Sequence, residues 1–284
     1  MIVNLQSKLS NAKVGQNNYL YTGGKTWASE GDSRPCLVFI HGAQHDHSVW
    51  ALQSRYFANH GYRVIALDLP GHGRSDGPAL ASIQAMAAWL NELLIHLKVE
   101  QAILIGHSMG SLIAVELAAL KGEADFKKVA ILAIALLGTA LPMRVSDALI
   151  DLTLTSEPKA IEQINAWSHS TIAARPGNPG PGFSIYMQNL RLMQRQIAGT
   201  LAIDFAACNH YADATQAAAK IAVPCLILQG QLDLMTPVKG AKEAVKLFGK
   251  TPDFVLVERA GHALMAERPD AVLAALRMWL GKLD

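Results

Sequence analysis

Short apolar runs alternate along the chain with longer stretches of helical periodicity, and this alternation limits the possible folds. Apolar runs predict strands at residues 36–40, 63–67, 101–105, 128–136, 225–229 and 254–257. Helical apolar spacing predicts helices at residues 82–97, 112–120, 241–248 and 271–280. Strands that alternate with helices are typical of βα units, whose strands pair in parallel. The sequence therefore predicts an α/β fold with a mostly parallel sheet flanked by helices.

The composition fits such a fold and excludes two classes of partner. Of the 284 residues, 51% are hydrophobic and 17% are charged, which is too apolar for a disordered chain. The 25 Lys and Arg residues nearly balance the 23 Asp and Glu residues, so no strong field attracts nucleic acid or an anionic membrane. The longest apolar run, residues 129–137, is much shorter than the ~20 residues that cross a bilayer. We expect neither nucleic acid nor a membrane as a partner.

The cysteines and the first residues bear on the cellular compartment. Cys36, Cys208 and Cys225 are odd in number and widely spaced, which favours reduced core thiols over disulfides or a metal knuckle. The first sixteen residues lack the basic start and long apolar centre of a secretory signal. These features predict a cytoplasmic protein.

Residues 139–219 interrupt the alternation, because they contain amphipathic patches but no convincing strand. Within them, residues 175–182 are so rich in Pro and Gly that a loop or hinge is expected. Long insertions between sheet elements usually have a function. We predict a helical cap at 139–219, inserted into a core formed by residues 1–138 and 220–284.

The segment Gly106–Gly110 reads Gly-His-Ser-Met-Gly and lies between a predicted strand and a predicted helix. A strand that turns directly into a helix forces Ser108 into a strained conformation, and the two glycines let the backbones approach. The helix N-terminus beside Ser108 favours developing negative charge. The position of the motif therefore favours a nucleophile over a structural turn serine.

A nucleophilic serine needs a base within hydrogen-bond reach and a third group that orients the base. Asp233 lies just beyond the predicted strand 225–229, and His262 lies in the loop after the strand 254–257. Functional side chains collect at the carboxyl ends of such strands. The two residues are the predicted partners of Ser108.

Five segments together resemble the motifs of the α/β-hydrolase fold serine hydrolases over nearly the whole chain. They are FIHGAQ, LDLPGHGRSDG, GHSMG, GQLDLMTP and GHALMAERPD. The resemblance implies the α/β-hydrolase fold and a catalytic triad in the order Ser108, Asp233, His262. It also implies an oxyanion hole made by the backbone amides of Ala43, which follows the His-Gly pair, and Met109. It says little about the substrate, because this fold supports many chemistries.

A group of polar residues after the first predicted strand superficially resembles a metal site. It consists of His41, His45, Asp46 and His47. His41 belongs to the His-Gly turn, and no distant motif completes a ligand set, so we predict no metal. We interpret the remaining histidines as solvated loop residues, with a position lining the entrance as a further option.

Several other polar residues have competing interpretations. Asp68 follows a strand and is an alternative triad acid, but its turn chemistry favours a structural role in capping local amides. We assign His72 to the same turn, and His107 to a packed or hydrogen-bonded neighbour of the nucleophile. Glu267 is expected to support the loop that holds His262.

The predicted cap supplies apolar residues, most of which are expected to pack the cap and some to line a cavity. They are Met143, Leu149, Leu154, Trp167, Phe183, Met187, Leu192 and Met193. Four arginines are candidates for binding a substrate carboxylate, although surface solvation is the usual fate of such residues. They are Arg144, Arg175, Arg191 and Arg195.

The leading interpretation is hydrolysis of small to medium, largely apolar carboxylic esters through an acyl-enzyme on Ser108, without a cofactor. The partner is thus a small ester or a related carbonyl compound. A carbon–carbon hydrolase of ring-cleavage products is an alternative, although Ala43-Gln44 and Ala263 depart from its usual Gly-rich run and aromatic residue. An epoxide or haloalkane hydrolase is disfavoured because it uses an aspartate nucleophile. A cofactor-free haloperoxidase or perhydrolase and a non-catalytic ligand receptor stay open, since both can share the triad.

Overall fold

The computed structural model describes residues 1–5, 16–25, 35–120, 129–170 and 184–283, and its strands form one eight-stranded sheet. The strands are β1 (Ile2–Leu5), β2 (Gln16–Gly24), β3 (Cys36–Ile40), β4 (Arg63–Leu67), β5 (Gln101–His107), β6 (Ala130–Leu137), β7 (Cys225–Gly230) and β8 (Asp253–Val257). Their order in the sheet is β1-β2-β4-β3-β5-β6-β7-β8. β1 and β2 are antiparallel, and β3 to β8 are parallel.

The strand order reverses between β3 and β5, because the chain passes from β3 to β4 on one side and then returns to β5 on the other. Sites in open α/β sheets lie at the carboxyl ends of the strands beside such a switch point. The register places Ile40 of β3 beside Gly106 of β5, and Leu137 of β6 beside His107. The segments that follow β3, β5 and β6 therefore begin side by side.

Eleven α-helices are described. They are α1 (Ala51–Asn59), α2 (Ile83–His96), α3 (Met109–Ala119), α4 (Asp147–Thr155), α5 (Glu157–Ser168), α6 (Ile185–Gln194), α7 (Thr200–Asn209), α8 (Ala214–Ala219), α9 (Val238–Val245), α10 (Leu264–Glu267) and α11 (Pro269–Leu280). In β3, Val38 points to the face covered by α2, α3, α8 and α9, and Phe39 points to the face covered by α1, α10 and α11. This alternation of side chains buries both faces of the sheet.

Helices α4 to α8 lie between β6 and β7 in the chain, where the sequence predicts the cap. Leu149, Ile164, Met193 and Phe205 belong to a small apolar cluster separate from the two clusters on the sheet. By contrast, α8 and the end of α7 pack into the cluster on one face of the sheet. The boundary of the cap at residue 219 stays a prediction, and the expected loop at 175–182 lies outside the described residues.

The predicted strands and helices are found, with shifts of one to three residues at several ends. β5 continues to His107 and α3 begins at Met109, so the turn between them is a single residue. α9 begins three residues earlier than predicted, directly after Pro237. β1, β2, α1, α8 and α10 were not predicted from the sequence. The three cysteines are free and buried, as predicted, and in the described ranges no helix has the length and apolarity of a membrane span.

Candidate active site

Ser108 occupies the sharp turn between β5 and α3. Its φ of 50° and ψ of −120° confirm the predicted strained backbone, since residues other than Gly rarely adopt a positive φ. A side chain at position 106 would overlap the backbone of Gly110, and one at position 110 would overlap the backbone of Ile40. Only glycine therefore fits at 106 and 110, and the close packing they permit holds the partly exposed Ser108 at the end of the sheet.

Asp233 and His262 form a buried pair at the same edge of the sheet. The His262 Nδ1–H donates to Asp233 Oδ2 at 2.8 Å, which leaves Nε2 as the basic nitrogen. The Asp233 carboxylate also accepts bonds from the Thr236 amide at 2.8 Å and from the Gln229 amide group at 2.9 Å. Burial alone would raise the pKa of Asp233, but the His262 charge and the bonds from His262 and Thr236 outweigh burial and lower it. Asp233 therefore stays ionised beside the His262 ring.

Two residues that lie beside Ser108, Gly138 and His107, contact His262. The Ser108 amide donates to the Leu137 carbonyl at 2.9 Å. The next residue, Gly138, lies against the imidazole, so a Cβ there would be 2.9 Å from Nδ1. The ring of His107 donates from Nε2 to the His262 carbonyl at 2.9 Å, with ring centroids 4.6 Å apart. The described structure contains no hydrogen bond between the Ser108 hydroxyl and His262, so that bond needs a rotation of the serine side chain or a bound substrate.

The two amides predicted for the oxyanion hole flank Ser108. Met109 is the first residue of α3, where a backbone N–H has no acceptor within the helix. Ala43 follows Gly42, and a Cβ on Gly42 would lie 3.1 Å from the Ser108 Cβ. The loop after β3 therefore passes directly beside the serine.

Two cavities open at this edge of the sheet. The smaller one has a volume of about 210 Å³ and includes Ser108, Ala43 and Thr236 in its wall. The larger one, of about 810 Å³, is lined by His262, with His45 and His107 beside it, and does not include Ser108. We place the chemistry at the smaller cavity because the nucleophile must touch the substrate. The larger cavity reaches the other side of the base.

The predicted apolar liners fall into three groups. Met143, Leu149 and Trp167 line the smaller cavity, and Met187 and Leu192 line the larger one. Met193 is fully buried in the small apolar cluster, as expected for most of these residues, whereas Leu154 is 71% exposed and lines neither of these two cavities. Phe183 lies outside the described residues.

The candidate arginines differ in their partners. Arg195 and Arg191 line the larger cavity, where Arg195 pairs with Asp46 at 2.6 Å and Arg191 donates to Gln194 at 3.0 Å. Arg144 lines the smaller cavity and has no ion-pair partner in the described part of the chain. Arg175 lies outside the described residues.

The interpretation as a solvated loop histidine was wrong for His45, whereas His41 belongs to the His-Gly turn as predicted. His41 is fully buried and His45 is 8% exposed, because the loop after β3 turns inward beneath α6 and α7. Burial lowers the pKa of each to about 4. His41 donates to the Gly42 carbonyl at 2.8 Å and accepts from the Leu69 amide at 3.1 Å, so it supports the turn.

A possible metal-ligand group does occur nearby, formed by Asp46, His47 and Asp68. His47 donates to Asp68 Oδ1 from its ring and from its amide, each at 2.7 Å. The Asp46 carboxylate accepts from Ser48 and from the Arg195 guanidinium. Since donors occupy these oxygens and a cation already pairs with Asp46, the group is a hydrogen-bonded network rather than a set of open ligands.

Asp68, His107 and Glu267, for which catalytic and structural roles were both considered, make the contacts of structural residues. Asp68 is fully buried and caps the Arg74 amide at 2.9 Å, as predicted, and it does not bond to His262. His107 is the hydrogen-bonded neighbour that was expected. Glu267 accepts from the Gly261 amide at 2.6 Å and from the Ser170 amide at 2.7 Å, which confirms its support of the loop.

Three polar partners at the site were missed in the sequence. Thr236 and Gln229 hold the Asp233 carboxylate, and Thr236 has a local signal because it stands three residues after the aspartate. Asp204 on α7 binds the Gln44 amide at 2.9 Å. No local pattern connects two residues that are 160 positions apart.

Comparisons with known proteins agree with this architecture. The model of the alpha/beta hydrolase family matches residues 37–275. The AB hydrolase superfamily protein YisY of Bacillus subtilis (strain 168) is 28% identical over 251 residues, which cover 85% of this chain and 90% of that protein. The (E)-2-((N-methylformamido)methylene)succinate hydrolase of Acinetobacter baylyi is 44% identical over 85 residues, or 30% of this chain and 32% of that protein.

A solved structure supports the same fold. A thermophilic esterase from Thermogutta terrifontis, with malate bound, has a TM-score of 0.82 to this chain at 20% identity, and the match covers 100% of this chain and 99% of the esterase. Since the family model spans most of the sequence and the sheet has the corresponding order, this chain belongs to the alpha/beta hydrolase family.

Proposed function

We propose that this hydrolase cleaves small to medium carboxylic esters through an acyl-enzyme on Ser108. The observation that carries the proposal is the buried Asp233–His262 pair, bonded at 2.8 Å beside a serine whose backbone is strained at the end of β5. A strained backbone costs about 1–3 kcal/mol and is concentrated at functional sites. An ionised buried carboxylate that orients an imidazole is the arrangement that activates a serine.

In the proposed mechanism His262 Nε2 takes the proton of the Ser108 hydroxyl as its oxygen attacks the ester carbonyl. The carbonyl oxygen becomes an oxyanion and accepts bonds from the amides of Ala43 and Met109. The C–O bond to the alcohol then breaks, and His262 returns the proton to the leaving oxygen. Water repeats the sequence on the acyl-enzyme and releases the acid. Asp233 stabilises the cationic imidazole in both halves of the reaction.

The cavity beside Ser108 supports a compact substrate. Its volume of about 210 Å³ lies below the roughly 300–1,000 Å³ of pockets for drug-sized ligands. Met143, Leu149 and Trp167 make much of its wall apolar, and they come from the segment 139–219 that we propose as the cap. The cap therefore sets the size of the group that reaches the serine.

Arg144 favours a second, narrower form of the proposal, in which the substrate carries a carboxylate. It is the charged residue in the wall of the Ser108 cavity, and it has no ion-pair partner among the described residues. The Acinetobacter relative is named for a succinate derivative, which supports the same chemistry. A guanidinium binds a carboxylate through two parallel hydrogen bonds.

The test of Arg144 compares two methyl esters of similar size, monomethyl succinate and methyl butyrate. We expect Arg144→Gln to lower kcat/KM for monomethyl succinate about tenfold, as for loss of a bond to a charged group, and to leave methyl butyrate unchanged. A pH-stat measures both rates. An equal loss for both esters would contradict a role in carboxylate recognition.

The test of the function itself measures hydrolysis of p-nitrophenyl esters of increasing acyl length by wild type and by Ser108→Ala. We expect the variant to lose turnover while its Tm stays within a few degrees, because the partly exposed serine contributes little packing. A wild type that is inert across the series and unlabelled by a fluorophosphonate would support a ligand receptor instead. Turnover of vinylogous diketones in preference to esters would support the carbon–carbon hydrolase, and peroxide-dependent halogenation would support the haloperoxidase.

A further inference from the structure

A carboxylate on helix α7 reaches from the proposed cap into the loops of the sheet. Asp204 is fully buried. Its Oδ2 accepts from the Gln44 amide at 2.9 Å and from the ring Nε2 of His72, also at 2.9 Å. One oxygen of α7 therefore ties together the loop that follows β3 and the loop that follows β4.

The bond to Gln44 acts on a strained backbone position. Gln44 has a φ of +55°, in the left-handed region that favours glycine. It directly follows Ala43, whose amide is one of the two proposed oxyanion donors. The Gln44 side chain is anchored as well, since its Nε2 donates to the Met193 carbonyl at 3.2 Å. The conformation beyond Ala43 thus depends on acceptors that α6 and α7 provide.

The second donor to Asp204 Oδ2 is the buried ring of His72. The His72 ring is bonded to two acceptors, because Nδ1 contacts the Pro70 carbonyl at 3.0 Å while Nε2 contacts Asp204. An imidazole donates from both nitrogens only when it is protonated. Burial favours a neutral ring, but the charge and the bond of Asp204 outweigh it and raise the pKa of His72 above 6.5. The ion pair holds Oδ2 in place between the two loops.

We propose that Asp204 is a positioning residue, which holds the Ala43 amide in the geometry that receives the oxyanion by accepting the Gln44 N–H. This inference rests on the proposed function. It makes the oxyanion hole depend on α7, so a cap that does not dock on the loop after β3 leaves the site incomplete. Asp204 touches no reacting atom in this account.

The experiment compares four variants of the full chain on a short p-nitrophenyl ester, at a temperature below every Tm. We expect Asp204→Ala to lower kcat about tenfold to a hundredfold with KM within twofold, somewhat less than the 10²–10³ lost with a whole oxyanion donor. Asp204→Asn keeps one oxygen that accepts both from the Gln44 amide and from a neutral His72 protonated on Nε2, so we expect it to retain kcat within threefold.

A double variant separates the loss of the Gln44 acceptor from a loss of stability caused by an unpaired buried charge. His72→Leu with Asp204→Leu removes the buried ion pair as a unit, which often leaves stability unchanged, yet it still lacks the acceptor for Gln44. We expect its kcat to be as low as that of Asp204→Ala. Asp46→Ala is the matched control, because Asp46 also joins this loop to the α6–α7 segment, through Arg195 and Gln196, but does not bond to Gln44.

The affinity of a transition-state analogue distinguishes positioning of the Ala43 amide from a general structural role of Asp204. A trifluoromethyl ketone forms a tetrahedral oxyanion on the serine, so its affinity should fall by the same factor as kcat in Asp204→Ala and stay constant in Asp46→Ala. The inference is overturned if kcat in Asp204→Ala and in the double variant stays within twofold of wild type. It is also overturned if Asp204→Asn falls as far as Asp204→Ala. Ester turnover by wild type tests the proposed function separately, and an inert wild type would overturn both.

Discussion

Two buried aspartates follow parallel strands, and their hydrogen bonds separate their roles. Asp233 follows β7 and accepts from the His262 ring, so its charge acts on the base. Asp68 follows β4 and accepts from His47 and from the Arg74 amide, so its charge acts on the conformation of a turn. A similar position after a strand does not by itself identify a triad acid.

This difference predicts opposite effects of the same substitution. We expect Asp233→Asn to lower kcat about 10³- to 10⁴-fold, since an amide favours the wrong tautomer of His262. We expect Asp68→Asn to keep kcat within a few fold and to lower the free energy of unfolding by about 1–3 kcal/mol. Steady-state kinetics and urea unfolding of both variants check the prediction. Loss of kcat in Asp68→Asn with retention in Asp233→Asn would exchange the two roles.

At the scale of elements, the segment between β8 and α11 positions the base. Glu267 at the end of α10 holds two backbone amides, one of them next to His262. Bonds to a charged group contribute about 1.5–3 kcal/mol each, and a buried amide left without an acceptor costs a similar amount. The orientation of the imidazole therefore depends on an acidic residue outside the triad.

Glu267→Ala is expected to lower the free energy of unfolding by about 2 kcal/mol or more and to reduce kcat, because the loop of His262 loosens. The control is Glu243→Ala on the exposed face of α9, which should change stability by less than about 0.5 kcal/mol. Urea unfolding and ester hydrolysis measure both effects. Wild-type stability in Glu267→Ala would contradict the role of Glu267 in supporting the loop that holds His262.

The elements that were predicted from the sequence have strong local signals, and the rest depend on distant contacts. β3 to β8 are apolar runs, and the turn at Ser108 has glycines where two backbones meet. β2 was missed because its sequence is polar and rich in Gly, and it is stabilised by antiparallel pairing on both sides. The burial of His45 and the contact of Asp204 with Gln44 arise only when α6 and α7 fold over the loop after β3.

At the scale of the whole molecule, buried histidines couple stability to pH in two opposite directions. Burial lowers the pKa of four of them, which are His41, His45, His107 and His169. Below pH 6.5 the unfolded chain binds protons at these positions that the folded chain does not bind, so stability decreases as pH falls. The pKa of His72 is raised, so above pH 6.5 the folded chain keeps a proton that the unfolded chain loses, and stability decreases as pH rises.

We therefore expect the free energy of unfolding to be greatest at about pH 7, above 6.5, because four lowered pKa values oppose only one raised value. Each buried neutral histidine contributes a slope of up to about 1.4 kcal/mol per pH unit on the acid side. Urea unfolding between pH 4.5 and 8.5 measures the curve. In His72→Asn the decline of stability above about pH 7 should become smaller, while the loss of stability on the acid side should persist. A curve that rises steadily through pH 8 would contradict this assignment of charges.

In the proposed mechanism Ser108 forms the covalent intermediate and His262 activates it. Peptide mass mapping after reaction with a fluorophosphonate tests both parts, when the rate of labelling is compared between wild type and His262→Gln. We predict one adduct per chain, on Ser108, formed at least about a hundredfold more slowly in the variant, since general base catalysis contributes 10²–10⁴-fold. An adduct on another residue, or equal labelling rates in the two proteins, would contradict it.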